Sequence, residues 1–192
     1  MGLAERTTGG PSDASLISGV LAKAYAACPV PAWLQLVAQC PDLRDQDVGL
    51  QRMWRDVRDV AGSADVRESQ KDFTRLFFDP QGAPCPPWES LWRQPPQPLM
   101  GPIHQSVLEF YARAGLRPRS ADREPVDHIG LEFAFLSAVS ARIARHGSER
   151  EPYVDFWHKH IDAWIHQLAL RMGDEACTPF FRIIARLTLA VT

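Results

Sequence analysis

Apolar residues recur along most of this chain at intervals of three and four, the spacing that keeps one face of a helix dry. Leu16, Val20 and Ala24 predict a first helix running to about Cys28, with Ser12 or Asp13 as its N-cap. Pro29 and Pro31 break it, and Trp33, Leu34, Leu36 and Val37 form a short second helix ending before Pro41. Between about 46 and 61, Leu50, Met53, Trp54, Val57 and Val60 make one stripe, with Arg52, Arg55, Asp56 and Asp59 turned outward. Ser63 is placed to cap a fourth helix that buries Val66, Phe73, Leu76 and Phe77.

The periodicity then stops. From Pro80 to Pro102 the chain carries eight of its 16 prolines together with Trp88 and Trp92, and no helix persists through such a run. Loops of this length are functional or disordered in compact domains, and two tryptophans argue for order. The segment 79–102 is therefore expected to be an ordered extended loop packed across the helices. Helical spacing resumes with Ile103, Val107, Leu108 and Tyr111, closed by Gly115. A longer helix is expected from Pro125 to about His146 and Gly147, apolar on most of its circumference and hence central. Another follows Pro152, carrying Val154, Trp157, Ile161, Trp164 and Leu168 and ending at Gly173. Thr178 and Pro179 read as N-cap and first residue of the last helix, which carries Phe180, Ile184, Leu187 and Val191.

No convincing strand alternation or internal repeat is visible. The expectation is an all-α, single-domain bundle of seven or eight helices over 13–192, with residues 1–12 disordered.

Composition narrows the function classes. With 192 residues, 45% hydrophobic and 23% charged, the chain can bury one sizeable core. Its net charge of -2 lacks the basic excess of a duplex-binding surface, so no nucleic-acid partner is expected. No apolar run reaches membrane-spanning length, and the first residues show no secretory h-region. Cys28, Cys40, Cys85 and Cys177 form no C-x-x-C pair and are expected to be reduced thiols acting as small apolar residues.

Two stretches carry candidate chemistry. In Arg123-Glu124-Pro125-Val126-Asp127-His128-Ile129-Gly130-Leu131-Glu132, charged groups crowd the start of a core helix. A first-turn carboxylate at Asp127 gains about 0.3–1 kcal/mol from the helix dipole, and Glu132 at i, i+4 is placed to charge His128. The plain structural alternative is a capping carboxylate beside a surface ion pair. A metal site built from His128, Glu132, His158 and Asp162 is the sharper alternative. However, His158 and His160 point in different directions on a helix, and neither Glu-x-x-His nor H-E-x-x-H is present. No G-x-S-x-G, P-loop or dinucleotide fingerprint occurs, so no catalytic residue, cofactor or metal ligand is assigned.

The second stretch is Pro84-Cys85-Pro86-Pro87-Trp88-Glu89-Ser90-Leu91-Trp92. Prolines fix an extended backbone and the indoles beside them offer flat amphipathic surfaces, which suits a peptide ligand with an apolar stretch. The alternative is that both tryptophans only pin the loop to the core.

P-P-W-E-S-x-W, E-P-x-D-H-x-x-x-E-F-x-F-L and the F-W-x-x-H-x-x-x-W of Phe156–Trp164 together resemble the redox-enzyme maturation chaperones of the TorD/DmsD/NarJ type, nearer the DmsD/TorD side. The resemblance covers essentially the whole chain. It implies a cytoplasmic chaperone and not an enzyme: one that binds the twin-arginine leader, and sometimes the body, of a molybdopterin oxidoreductase subunit until cofactor insertion is complete, so that Tat export is not premature. It implies peptide-binding roles for Trp88 with its neighbours Pro87, Glu89 and Trp92, and for Pro125, Asp127 and His128. It implies no cofactor beyond the weak guanine-nucleotide binding linked to some members. A monomer is expected, with a domain-swapped dimer hinged at 79–102 as the alternative.

The chemistry of such a leader fits these residues. Glu89, Glu124 and Asp127 are expected to face its guanidinium groups, while Trp88, Leu91 and Trp92 cover its apolar segment. Ordering a flexible leader offsets much of the gain, so affinity is expected at about the micromolar level. The competing readings are a helical metal-dependent hydrolase using His128 and Glu132, and a helical scaffold that binds a folded partner without its leader.

Overall fold

The structure is a computed structural model, and it describes residues 10–118, 125–147 and 150–192. Ten helices are assigned among them: α1 (Gly10–Ala26), α2 (Pro31–Ala38), α3 (Val48–Ser63), α4 (Val66–Phe78), α5 (Glu89–Trp92), α6 (Pro102–Arg113), α7 (Ile129–His146), α8 (Glu151–Phe156), α9 (Ile165–Glu175) and α10 (Pro179–Val191). The described residues contain no strand, only one isolated antiparallel bridge between Trp88 and His128. The all-α expectation holds, and the helix count rises for two reasons. The Pro/Trp segment contains the four-residue α5, and the long helix expected after Pro152 is split by a π-turn at Trp157–Ile161 before α9 begins.

Local chemistry explains most boundaries. Asp47 caps α3 by accepting from the Gly49 and Leu50 amides, and Thr178 caps α10 by accepting from Phe181, with Pro179 in the first turn as expected. The cap of α4 is Asp65 rather than Ser63, which is the last residue of α3. Gly115 and Gly147 both adopt positive φ just past their helices, where a residue without Cβ is favoured. The expected disorder of 1–12 falls mainly on residues outside those described, but α1 already begins at Gly10. Asp13 is not its cap. It lies inside α1, buried, accepting from the Arg44 and Asp45 amides at 2.6 and 2.8 Å.

Helices α1 and α7 run against each other along their lengths, and α10 lies against α9 and α3. The α1–α7 contact is closely spaced because small residues line it. A Cβ on Gly130 would come within 2.6 Å of Ala26 Cβ, so only glycine permits this approach. Ser15 and Ser137 reinforce it, each hydroxyl donating to the other's backbone carbonyl at 3.0 and 2.8 Å. The most deeply buried helix is α10, with Phe180, Phe181, Ile183, Ile184, Leu187 and Val191 in the core. In α7, expected to be central, Leu131 and Ile143 are only half-buried. Cys85 alone of the four thiols is buried, while Cys28 and Cys177 are exposed.

A buried carboxylate ties α4 to the start of α10. Asp72 on α4 accepts from the Cys177 and Thr178 amides and the Thr178 hydroxyl at 2.8–2.9 Å, and its other oxygen pairs with Arg75 at 3.0 Å. Both oxygens are satisfied, and the start of α10 is fixed against α4.

Candidate functional site

The two motif-bearing stretches meet. The Glu89 amide donates to the Asp127 carbonyl and the Ile129 amide to the Pro87 carbonyl, both at 2.8 Å, closing the bridge around Trp88 and His128. The Ser90 amide donates to Asp127 Oδ2 at 3.0 Å, so the carboxylate bonds to the first turn of α5. The indole of Trp88 stands edge-on to the His128 ring at 5.7 Å and to the Phe78 ring at 6.4 Å. Trp88 and His128 are half-buried and Phe78 and Leu91 are exposed, so an aromatic ledge with an apolar margin reaches the surface here.

His128 is the N-cap of α7, not a residue of its first turn, and its Nδ1 accepts from the Gly130 amide at 3.0 Å. Burial lowers its pKa to about 4, so the ring is neutral at physiological pH. The i, i+4 pair with Glu132 does not form: His128 Nδ1 is used on the Gly130 amide, and Glu132 approaches Glu89 instead. The hydrolase reading therefore loses its central pair. Pro125 lies four residues before the helix rather than at its start. Glu124 lies outside the described residues.

Beneath the ledge is a buried polar cluster that the sequence reading only partly anticipated. Asp127, Glu89 and Glu132 are fully buried, so the expectation that Asp127 and Glu89 face solvent and an incoming guanidinium is corrected. Glu89 Oε1 already accepts from Arg93 Nε at 2.8 Å and from Arg93 Nη2, while Oε2 faces His160 Nδ1 at 2.8 Å. Arg93 also donates to the Lys159 carbonyl in the π-turn. That turn sends His160 inward to Glu89 and Ser106 Oγ, while His158 points outward to Asp162 at 2.8 Å. The divergence of the two histidines matches expectation, and the four-residue metal set of His128, Glu132, His158 and Asp162 does not assemble.

Glu132 stands out. Burial, and after it the charge and proximity of Glu89, hold its carboxyl well above the usual carboxylate range. Neither of its oxygens meets a donor among the described residues, and its approach to Glu89 becomes a hydrogen bond only when one of the two is protonated. Asp127 Oδ1 is likewise buried without a donor.

Two further side chains hold the cluster in place. His104 Nδ1 accepts from the Val126 amide at 3.1 Å, and the Tyr111 hydroxyl donates to the Val126 carbonyl at 3.3 Å. Trp92 donates to the Pro86 carbonyl at 2.7 Å and lies against Trp164, so it anchors the loop to the bundle. Trp88, equally half-buried, lies instead on the ledge with Phe78.

Comparison with known proteins bears on the whole arrangement. The profile of the family described as nitrate reductase delta subunit matches residues 44–169, about two thirds of the chain and every residue of the site described above. The chain belongs to this family. It is similar to the chaperone protein TorD of Shewanella loihica, 28% identical over 122 residues, covering 64% of this chain and 51% of that protein. It is similar to the Tat proofreading chaperone DmsD of Salmonella typhi, 30% identical over 120 residues, covering 60% of this chain and 56% of that protein. A TorD from another Shewanella strain is 25% identical over 163 residues, covering 82% of this chain and 74% of that protein. The first two alignments thus span little more than half the length of those relatives. Both TorD and DmsD are represented, in keeping with the sequence resemblance to the TorD/DmsD/NarJ type.

Proposed function

We propose that this protein is a cytoplasmic maturation chaperone, not an enzyme, for a molybdopterin oxidoreductase subunit, and that it binds the subunit's twin-arginine leader at the Trp88–His128 ledge. The observation that carries this reading is the bridge itself. It joins the proline- and tryptophan-rich loop to the E-P-x-D-H stretch and leaves an aromatic surface at their junction. The apolar segment of a leader lies across Phe78, Trp88 and Leu91, where burying area gives affinity with little sequence demand. Asp127 and Glu89 act from below, holding the loop in place through the Ser90 amide and through Arg93 and His160. Glu124, immediately before the described part of the motif, is the carboxylate assigned to direct arginine contact. Held in this way, the precursor is kept from export until its cofactor is inserted.

The sequence relatives support this reading, since they are named a chaperone protein and a Tat proofreading chaperone. No helix of the described residues is long and apolar enough to cross a membrane. Titrating a synthetic twin-arginine leader against the wild-type protein and Trp88→Ala tests the reading. A roughly micromolar Kd that weakens about tenfold in Trp88→Ala is expected, the loss of one large aromatic contact. Equal binding by both proteins, or binding of the precursor body alone, would overturn the leader site and favour the scaffold reading.

A further inference from the structure

The buried cluster beneath the ledge has more acceptors than the described protein groups satisfy. Glu89, Glu132 and His160 are 0, 0 and 1% exposed, and one ligating atom from each lies within 4.8 Å of the others. One Glu132 oxygen lies in this space, and neither of the two meets a donor among the described residues. A third carboxyl group, Asp127, adds its field at Glu132, and the cation opposing them there is Arg93, already committed to Glu89 and the Lys159 carbonyl. Uncompensated acceptors in so dry a place are costly.

We propose that Glu89, Glu132 and His160 bind one divalent cation of the zinc type, through Glu89 Oε2, a Glu132 carboxylate oxygen and His160 Nδ1. Two carboxylates and one imidazole form a mixed oxygen and nitrogen set, which suits zinc, whereas calcium and magnesium prefer oxygen alone. His160 carries the outer partner that metal-bound imidazoles usually have. Its Nε2 faces Ser106 Oγ at 3.0 Å, so with Nδ1 on the metal the ring donates Nε2–H to the Ser106 hydroxyl. A doubly charged ion with a deprotonated Glu132 also offsets the excess of buried carboxylates. The three ligands come from α5, α7 and the π-turn, so the ion would fasten the Pro/Trp segment to the bundle from inside. Because the three ligands are shut off from solvent, a substrate cannot reach the ion, and its role is to hold structure. The proposal does not depend on what the ledge binds.

The test is zinc titration of the metal-stripped full-length chain by native mass spectrometry and by competition with a chromophoric chelator. A Cys28→Ser/Cys177→Ser/His146→Gln/His158→Gln/His166→Gln background removes the exposed thiols and imidazoles that would bind zinc nonspecifically. One zinc per chain is expected, with a rise in Tm on loading. Glu132→Gln should weaken binding at least tenfold and abolish the Tm rise, and Ser106→Ala, which leaves every ligand in place, should weaken it about tenfold. Should Glu132→Gln fail to fold, Ser106→Ala decides alone. No stoichiometric zinc, or undiminished affinity in Glu132→Gln or, in that event, in Ser106→Ala, would overturn the site. The cluster would then be a proton-sharing pair of Glu132 and Glu89.

Discussion

Two of the buried carboxylate centres in this molecule, one around Asp72 and one around Glu132, are built to opposite standards. At the α4–α10 junction, Asp72 receives three donors on one oxygen and Arg75 on the other, so nothing is left over. Beneath the Trp88–His128 ledge, three carboxyl groups share few donors, and Asp127 Oδ1 and both Glu132 oxygens have none among the described residues. Natural interiors satisfy their polar groups unless something else is gained. The first centre is a fastening that needs only its own chain. The second keeps unmet acceptors next to a partly exposed aromatic surface, which is where a binding function is to be sought.

The largest expected effect breaks the first centre. Asp72→Ala strips three donors of their acceptor and leaves Arg75 without its buried partner, so a loss of about 3–5 kcal/mol in denaturant unfolding is expected. Leader affinity of the folded fraction should not change, and a change would mean that the two centres are coupled. Asp127→Ala is expected to cost less, about 1–3 kcal/mol, because only the Ser90 amide loses an acceptor. It should also weaken leader binding, since that bond holds α5 against the ledge. An Asp127 variant as stable as wild type would return the residue to an exposed role.

The third prediction uses pH. Burial lowers the folded-state pKa of His128 from 6.5 to about 4, so the unfolded chain takes up a proton that the folded chain refuses. Stability present above pH 6.5 is therefore lost as pH falls from about 6.5 toward 4. The full shift would correspond to about 3 kcal/mol, and the half-exposed ring reduces this to about 1–2 kcal/mol. Protonation of Nδ1 also removes the acceptor that caps Gly130. His128→Asn retains a capping oxygen without titrating, so its unfolding curves should be flatter over that range. The smallest effect is expected from Glu132→Gln in metal-free protein. A neutral amide replaces a carboxyl whose neutral form burial already favours, and it can donate to Glu89, so unfolding free energy should move by less than about 1 kcal/mol. A large loss would show that Glu132 is as firmly fastened as Asp72.

Much of this was legible in the chain before any coordinates. The helical periodicity, the C-terminal glycine at Gly115, the helix end near Gly147 and the Thr178-Pro179 start follow from local chemistry, which a single sequence displays. The burial of Asp127 was not, because it depends on a contact with Ser90 from 37 residues away. A carboxylate beside a helix start looks exposed until the opposing loop is placed. The π-turn was hidden for a related reason: Trp157, Ile161 and Trp164 keep a spacing that an ordinary helix would also show. Two members of the buried cluster did leave traces. Glu89 and Arg93 stand at i, i+4, and His160 is the histidine of F-W-x-x-H-x-x-x-W, where it was weighed only against His158.

The Pro/Trp segment also closes on itself, since the Gln97 amide donates to the Ser90 carbonyl at 2.8 Å. The residues between them are exposed or half-buried, and only Trp92 and Arg93 among them reach back to the bundle. Gln94, Pro95 and Pro96 thus form the tip of a handle whose base is knotted shut. Changing the length of a surface tip costs little once its base is fixed. Here a fluorophore, an epitope or a few extra residues can be inserted while both carboxylate centres stay intact, giving a labelled protein in which occupation of the adjacent ledge is read directly.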